Sequence, residues 1–143
     1  FRAESRELSD AVERDPLTGI GNRRALDRTL AALLAQGGAR CALALVDCDH
    51  FKAVNDRASH LAGDRVLQRI AGVFARASRR SDLAARFGGD EFAIVFADAL
   101  ADEAAGVCER IRAAIEGCDD DGAPPVTVSI GVAGPSPAIP STT

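Results

Sequence analysis

The sequence predicts an α/β fold of the α+β kind: a ferredoxin-like βαββαβ palm with a central, mainly antiparallel sheet flanked by helices. Three observations predict it. Residues 41–46 form an unbroken apolar run that stops at Asp47, which reads as a strand covered on both faces. Residues 83–87 and 92–96 are two short apolar runs on either side of Gly88-Gly89-Asp90-Glu91, which reads as a hairpin. Between and beyond these strands lie two stretches with apolar residues at helical spacing, and a last run that alternates.

Residues 1–14 are charged and helix-permissive, with Phe1, Leu8 and Val12 as the larger apolar positions. They read as the end of a connecting helix from an upstream domain, which Pro16 and Gly19 interrupt. Asn22 is placed to cap a helix over Arg23–Ala35, whose apolar face is Ala25, Leu26, Leu30, Leu33 and Leu34. Gly37-Gly38 ends it. After the first strand, residues 47–52 read as a polar turn. Residues 61–79 read as an amphipathic helix with Val66, Leu67, Ile70, Val73, Phe74 and Ala77 on one face. A second helix covers residues 100–116, with Ala104, Val107, Cys108, Ile111 and Ile115 inward. Residues 117–125 form an acidic, turn-rich loop. Val126, Val128, Ile130 and Val132 then alternate with small residues as a strand. Residues 134–143 hold three prolines and read as irregular.

The 143 residues suffice for one domain with one core. The net charge of −4 and the lack of a basic stripe exclude long nucleic acid as a partner. No apolar run reaches transmembrane length, so no membrane contact by this domain is expected. No Met occurs anywhere, which points to a chain that starts inside a longer protein. Cys41, Cys48, Cys108 and Cys118 make no C-x-x-C pair and have no His cluster beside them, which excludes a zinc site. Cys41 and Cys108 fall on apolar faces as small core residues. This usage fits a reducing cytoplasm, although the parent protein could be membrane-anchored.

In a ferredoxin-like sheet the first and third strands are central neighbours. Asp47, at the end of the first, then comes beside Asp90 and Glu91 in the turn before the third. Three carboxylates beside the bare backbone of Gly88 and Gly89, which can accept positive φ, suit a divalent cation and a phosphate. Lys52 is placed to offset charge on a transferring phosphoryl group. Asn55 and Asp64 flank the start of the next helix. A carboxylate there can select guanine over adenine, but the residues alone favour helix capping.

The motifs together resemble the GGDEF domains of the diguanylate cyclase family. Asp15-Pro16-Leu17-Thr18-Gly19 with Asn22-Arg23-Arg24 resembles its opening signature. Asp47-x-Asp49-x-Phe51-Lys52 with Asn55-Asp56 resembles the metal and substrate segment, and His60-x-x-Gly63-Asp64 continues it. Residues 86–92 resemble the signature hairpin, and residues 127–133 the late strand. The resemblance therefore spans residues 15–133.

It implies that two GTP condense to cyclic di-GMP and two pyrophosphates across a homodimer of such domains. It implies that Asp47, the Cys48 carbonyl, Asp90 and Glu91 hold Mg2+ or Mn2+. Asp90, Glu91 and Lys52 would be catalytic. Phe51, Asn55, His60, Asp64, Gly88 and Gly89 would bind substrate. Arg79 and Asp82 form R-x-x-D with five residues between Asp82 and Gly88, the family's spacing for a site that binds the product as inhibitor. Arg110 resembles the arginine that completes this site from another domain. Read alone, R-x-x-D is an ordinary solvated helix end. An upstream sensory domain is the implied partner in the parent chain. Two departures stand out. Ser59 replaces a usual glycine, which would strain the turn if that position needs positive φ. Nothing after Ala133 resembles the family's further helix and strand, with their triphosphate-gripping lysine and arginine. Three functions remain open: an active cyclase, a catalytically weak cyclic di-GMP receptor, and a dimerisation module.

Overall fold

A computed structural model describes residues 13–118 and 122–136. The expected connecting helix over residues 1–14 lies outside them except for Glu13 and Arg14, as does most of the irregular C-terminal stretch. The elements are α1 (Arg23–Ala35), β1 (Ala42–Cys48), α2 (Phe51–Arg57), α3 (His60–Ala77), β2 (Leu83–Arg86), β3 (Glu91–Phe96), α4 (Ala101–Glu116) and β4 (Val128–Ala133). The sheet order is β2-β3-β1-β4, antiparallel throughout, so β1 and β3 are central as expected.

Helices α3 and α4 cover one face of the sheet. Val66, Leu67, Ile70, Val73 and Phe74 of α3 meet Ala104, Cys108, Ile111 and Ile115 of α4 above Ala44, Val46, Phe92 and Ile94. Phe74 and Phe92 are fully buried and pack edge to face, with ring centroids 5.4 Å apart. Arg69 is the buried charge in this layer. Its guanidinium donates to the carbonyls of Ala123 and Pro124 at 2.7 Å, which ties α3 to the segment leading into β4. Helix α1 covers the opposite face over β2 and β3, where Leu26 packs with Ala85, Ala93 and Val95.

Three expectations are corrected. Strand β1 is not covered on both faces. Ala42, Ala44, Val46 and Cys48 are buried, but Leu45 stands 50% exposed because α1 does not extend over it. The turn expected over residues 47–52 ends at His50, and Phe51–Arg57 form α2; Phe51 and Val54, one turn apart, pack against the main core and hold this short helix. The final strand begins at Val128 rather than at residue 126.

Helix caps follow the sequence. The Asn22 Oδ1 accepts from the Ala25 N–H at 3.0 Å. Ser59 caps α3, its hydroxyl accepting from the Ala62 N–H at 3.0 Å. Its φ of 179° is extended backbone, so serine strains nothing there. His50, before α2, is the one non-glycine at positive φ among the described residues (φ 56°).

Candidate active site

The site is built where β1 ends beside the β2–β3 turn. In the β1–β3 ladder Asp47 stands directly opposite Glu91. The Cys48 N–H donates to the Asp90 carbonyl at 3.3 Å. Residues more than forty apart in sequence therefore meet, as the topology predicts. Asp47 and Glu91 are exposed and Asp90 is half-buried. Like charges on facing strands repel, and a cation between them removes that repulsion.

The turn is closed by Phe87 and Gly88, whose N–H groups donate to the Glu91 carbonyl at 3.0 and 3.4 Å. Neither Gly88 nor Gly89 takes up positive φ, contrary to the reading of the sequence. The missing side chain at Gly88 instead leaves room for Glu91. The Glu91 side chain folds over it, and a Cβ at position 88 would stand 2.7 Å from Glu91 Oε2.

One clamp was not assigned a role from sequence. The Arg86 Nε and Nη2 donate to the Gly89 carbonyl at 3.1 and 2.9 Å, while its Nη1 donates to Asp15 Oδ1 at 3.1 Å. Asp15 also accepts from the N–H and hydroxyl of Thr18 at 2.9 and 2.6 Å. The opening D-P-L-T-G loop thus braces the hairpin turn through Arg86. The signal lay in the sequence, since Asp15 opens the motif at residues 15–19 and Arg86 the one at residues 86–92, but nothing local says that they pair.

Cys48 is buried, and burial first, then Asp90, Asp49 and Asp47, push its thiol up to about 12. The thiol therefore stays protonated and offers no thiolate; only its carbonyl is a candidate ligand. Asp49 turns away to β4. Its two oxygens accept from the hydroxyls of Ser129 and Thr127, each at 2.7 Å, and these bonds hold its carboxyl below the usual range.

The donor set of Asp47, Asp90, Glu91 and a main-chain carbonyl is hard oxygen throughout, which suits Mg2+ or Mn2+ in kind and in backbone placement. Among the described residues no three Asp, Glu, His or Cys side chains already close round a common point.

Lys52 and Asn55 project from α2, and His60 and Asp64 lie in the first two turns of α3. Asn55 and Asp64 are inside helices rather than at their N-caps, which are His50 and Ser59. Capping therefore does not account for either. Phe51 is half-buried at the start of α2.

The R-x-x-D pair is a built turn. The Asp82 carboxylate is 2% exposed and accepts from the Arg79 N–H at 2.9 Å and the Ala97 N–H at 3.3 Å. Arg79 is 57% exposed, and its Nη2 donates to the Asp98 carbonyl at 2.9 Å. They line a cleft of about 440 Å³ with Arg14 and Arg80. Arg110 lies elsewhere, in the groove between α3 and α4 beside Arg76.

Residues 12–138 match the family described as diguanylate cyclase, GGDEF domain. The chain belongs to that family. It is 44% identical over 107 residues to the diguanylate cyclase DgcP of Pseudomonas aeruginosa, covering 73% of this chain and 16% of that protein. The chain thus spans about one sixth of the length of this relative. Its fold is similar to the coiled coil and GGDEF domain of DgcB from Caulobacter crescentus, a structure in complex with c-di-GMP (TM-score 0.83, 32% identity, 92% of this chain and 73% of that one). It is likewise similar to the diguanylate cyclase SiaD of Pseudomonas aeruginosa in complex with its activator SiaC (TM-score 0.80, 37% identity, 92% and 53%). These GGDEF domains share the mixed α/β palm described above.

Proposed function

We propose that this GGDEF domain condenses two GTP into cyclic di-GMP and two pyrophosphates. The observation that carries the reading is the register of Asp47 against Glu91, with the Asp90 carbonyl bonded to the Cys48 N–H. Asp47, the Cys48 carbonyl, Asp90 and Glu91 would hold the divalent cation, which supplies charge neutralisation at the phosphates and acidifies the attacking hydroxyl. Asp90 accepts the proton of the ribose 3′-hydroxyl. That oxygen bonds to the α-phosphorus of the GTP on a facing domain, and pyrophosphate leaves. A second identical step closes the ring. Lys52 offsets the charge that builds on the phosphoryl oxygens. Asn55, His60 and Asp64 bind substrate, mainly its guanine, while Phe51, Gly88 and Gly89 shape the pocket. One domain holds one GTP, so turnover requires two domains face to face.

Product inhibition is the second part of the proposal. Asp82 is fully engaged and presents Arg79, whose guanidinium offers a planar fork to phosphate or to the guanine O6/N7 edge. Arg110, in a separate groove on the same domain, would serve the product held by another domain.

The test is incubation with GTP and Mg2+ at high protein concentration, with nucleotides resolved by chromatography. Cyclic di-GMP is expected, and Asp90→Ala is expected to abolish it while leaving cyclic di-GMP binding intact. Binding of cyclic di-GMP without any turnover by the unaltered protein would replace the enzyme with a receptor. Arg79→Ala is expected to relieve inhibition by added cyclic di-GMP.

A further inference from the structure

We infer that Gly63 is a positioning residue for guanine recognition: the space left by its missing Cβ is where the Asn55 carboxamide sits. This rests on the reading of Asn55 and Asp64 as guanine-binding residues. Gly63 is buried in the first turns of α3, facing α2. A Cβ built there would overlap Asn55 Oδ1 outright, and would stand 3.0 Å from Asn55 Cγ and 3.2 Å from the Phe51 ring. The backbone itself does not call for glycine, since Gly63 is inside a helix and not at positive φ. Glycine in a helix interior is unfavourable relative to alanine, so its use here has a cause outside the helix.

The second observation concerns Asn55 itself. Its Oδ1 is fully buried and has no hydrogen-bond partner among the described residues. A buried acceptor without a partner is unfavourable, and a purely structural asparagine would not carry that penalty. The carbonyl end is the one lodged at Gly63, so the side chain, half-buried as a whole, is held to meet a ligand with its amide end. The next residue along α3, Asp64, is half-buried on the same turn as Gly63. One turn of α3 thus seats Asn55 with one residue and supplies a carboxylate with the next.

An obstruction at position 63 would fall chiefly on the short Asn55 side chain and only lightly on the edge of the Phe51 ring, not on backbone. Gly63→Ala therefore leaves the fold intact and displaces Asn55. The experiment compares the unaltered protein with Gly63→Ala, Asn55→Ala and the double variant. Each is titrated calorimetrically with 3′-deoxy-GTP, which lacks the attacking hydroxyl, and with ATP. Each single variant is expected to weaken 3′-deoxy-GTP binding by about tenfold and to narrow the preference over ATP. The double variant is expected to bind no more weakly than Asn55→Ala, because the side chain that the added methyl would strike is gone. The melting temperature of Gly63→Ala should hold or rise.

Weakening by Asn55→Ala with full affinity in Gly63→Ala would overturn the inference alone. So would a double variant that loses the product of the two single effects. Full affinity in Asn55→Ala would overturn the guanine-site reading beneath it, and the inference with it.

Discussion

Asp49 and Cys48 show that neighbours in one motif can have opposite tasks. Asp49 accepts from Ser129 and Thr127, and its carboxyl is held low by those hydroxyls. A carboxyl lowered on folding contributes stability that is present above its unfolded pKa and lost as pH falls through its folded pKa. Removing the hydroxyls with Ser129→Ala and Thr127→Val should therefore cost stability at neutral pH. The difference from the unaltered protein should fade as pH falls through the carboxylate range, as measured by urea unfolding at a series of pH values. Asp49 sits in a D-x-D pattern that looks ligand-like, but its partners lie 78 and 80 residues away and no local signal names them. Cys48 is governed by burial. With its thiol at about 12 and that of Cys108 at about 11, neither should react with a disulfide reagent at pH 8 until the protein is unfolded. Rapid labelling of either in the native protein would contradict the packing of β1 or α4.

At the scale of elements, caps and long helices were legible because their signals are local. Asn22 and the apolar spacing of residues 23–35 define α1, and the observed helix has those bounds. Helix α2 was not legible: seven residues with two apolar positions one turn apart resemble any polar turn, and only contact with the core makes them helical. Ser59, a departure from the family pattern, proves to be the cap of α3. Ser59→Ala should cost about 1 kcal/mol in urea unfolding, whereas Ser59→Gly should cost only a few tenths. The hairpin depends on a clamp from outside its own sequence. Arg86→Ala would leave the Gly89 carbonyl and the half-buried Asp15 carboxylate short of a donor, at about 1–3 kcal/mol. Arg86→Lys should not restore it, because one ammonium cannot span both partners as the guanidinium does. A double variant with Asp15→Ala should lose less than the sum of the single losses, since the two act as one unit.

For the whole molecule, one face of the sheet carries the main core and the other is only partly covered. Phe74 joins α3 to β3 through Phe92, and Phe74→Ala should cost about 3–5 kcal/mol, measured by denaturant unfolding. The proposed substrate-binding residues sit mainly on α2 and α3, the proposed cation ligands on β1 and around the turn before β3. Loosening this core should therefore impair turnover as well as stability. If two facing domains make one site, specific activity should rise with protein concentration, because the encounter of half-sites is bimolecular. A flat dependence over a range in which the protein is monomeric by light scattering would count against the facing-domain mechanism.

Apart from the short helix α2, the sequence by itself determined the element types, most of their bounds and the chemistry on offer, because periodicity, caps and turn residues act within a few positions. The carboxylates of the hairpin were readable in the same way, whereas the R-x-x-D pair stood out only through the family resemblance. Tertiary structure decided what depends on which distant surfaces meet. It set Asp47 opposite Glu91, left Leu45 uncovered, turned Asp49 to β4 and seated Asn55 against Gly63. Strand register follows from burying one face of a pleated sheet as a unit, and side-chain seating from close packing between helices; neither is stored in any short stretch of chain.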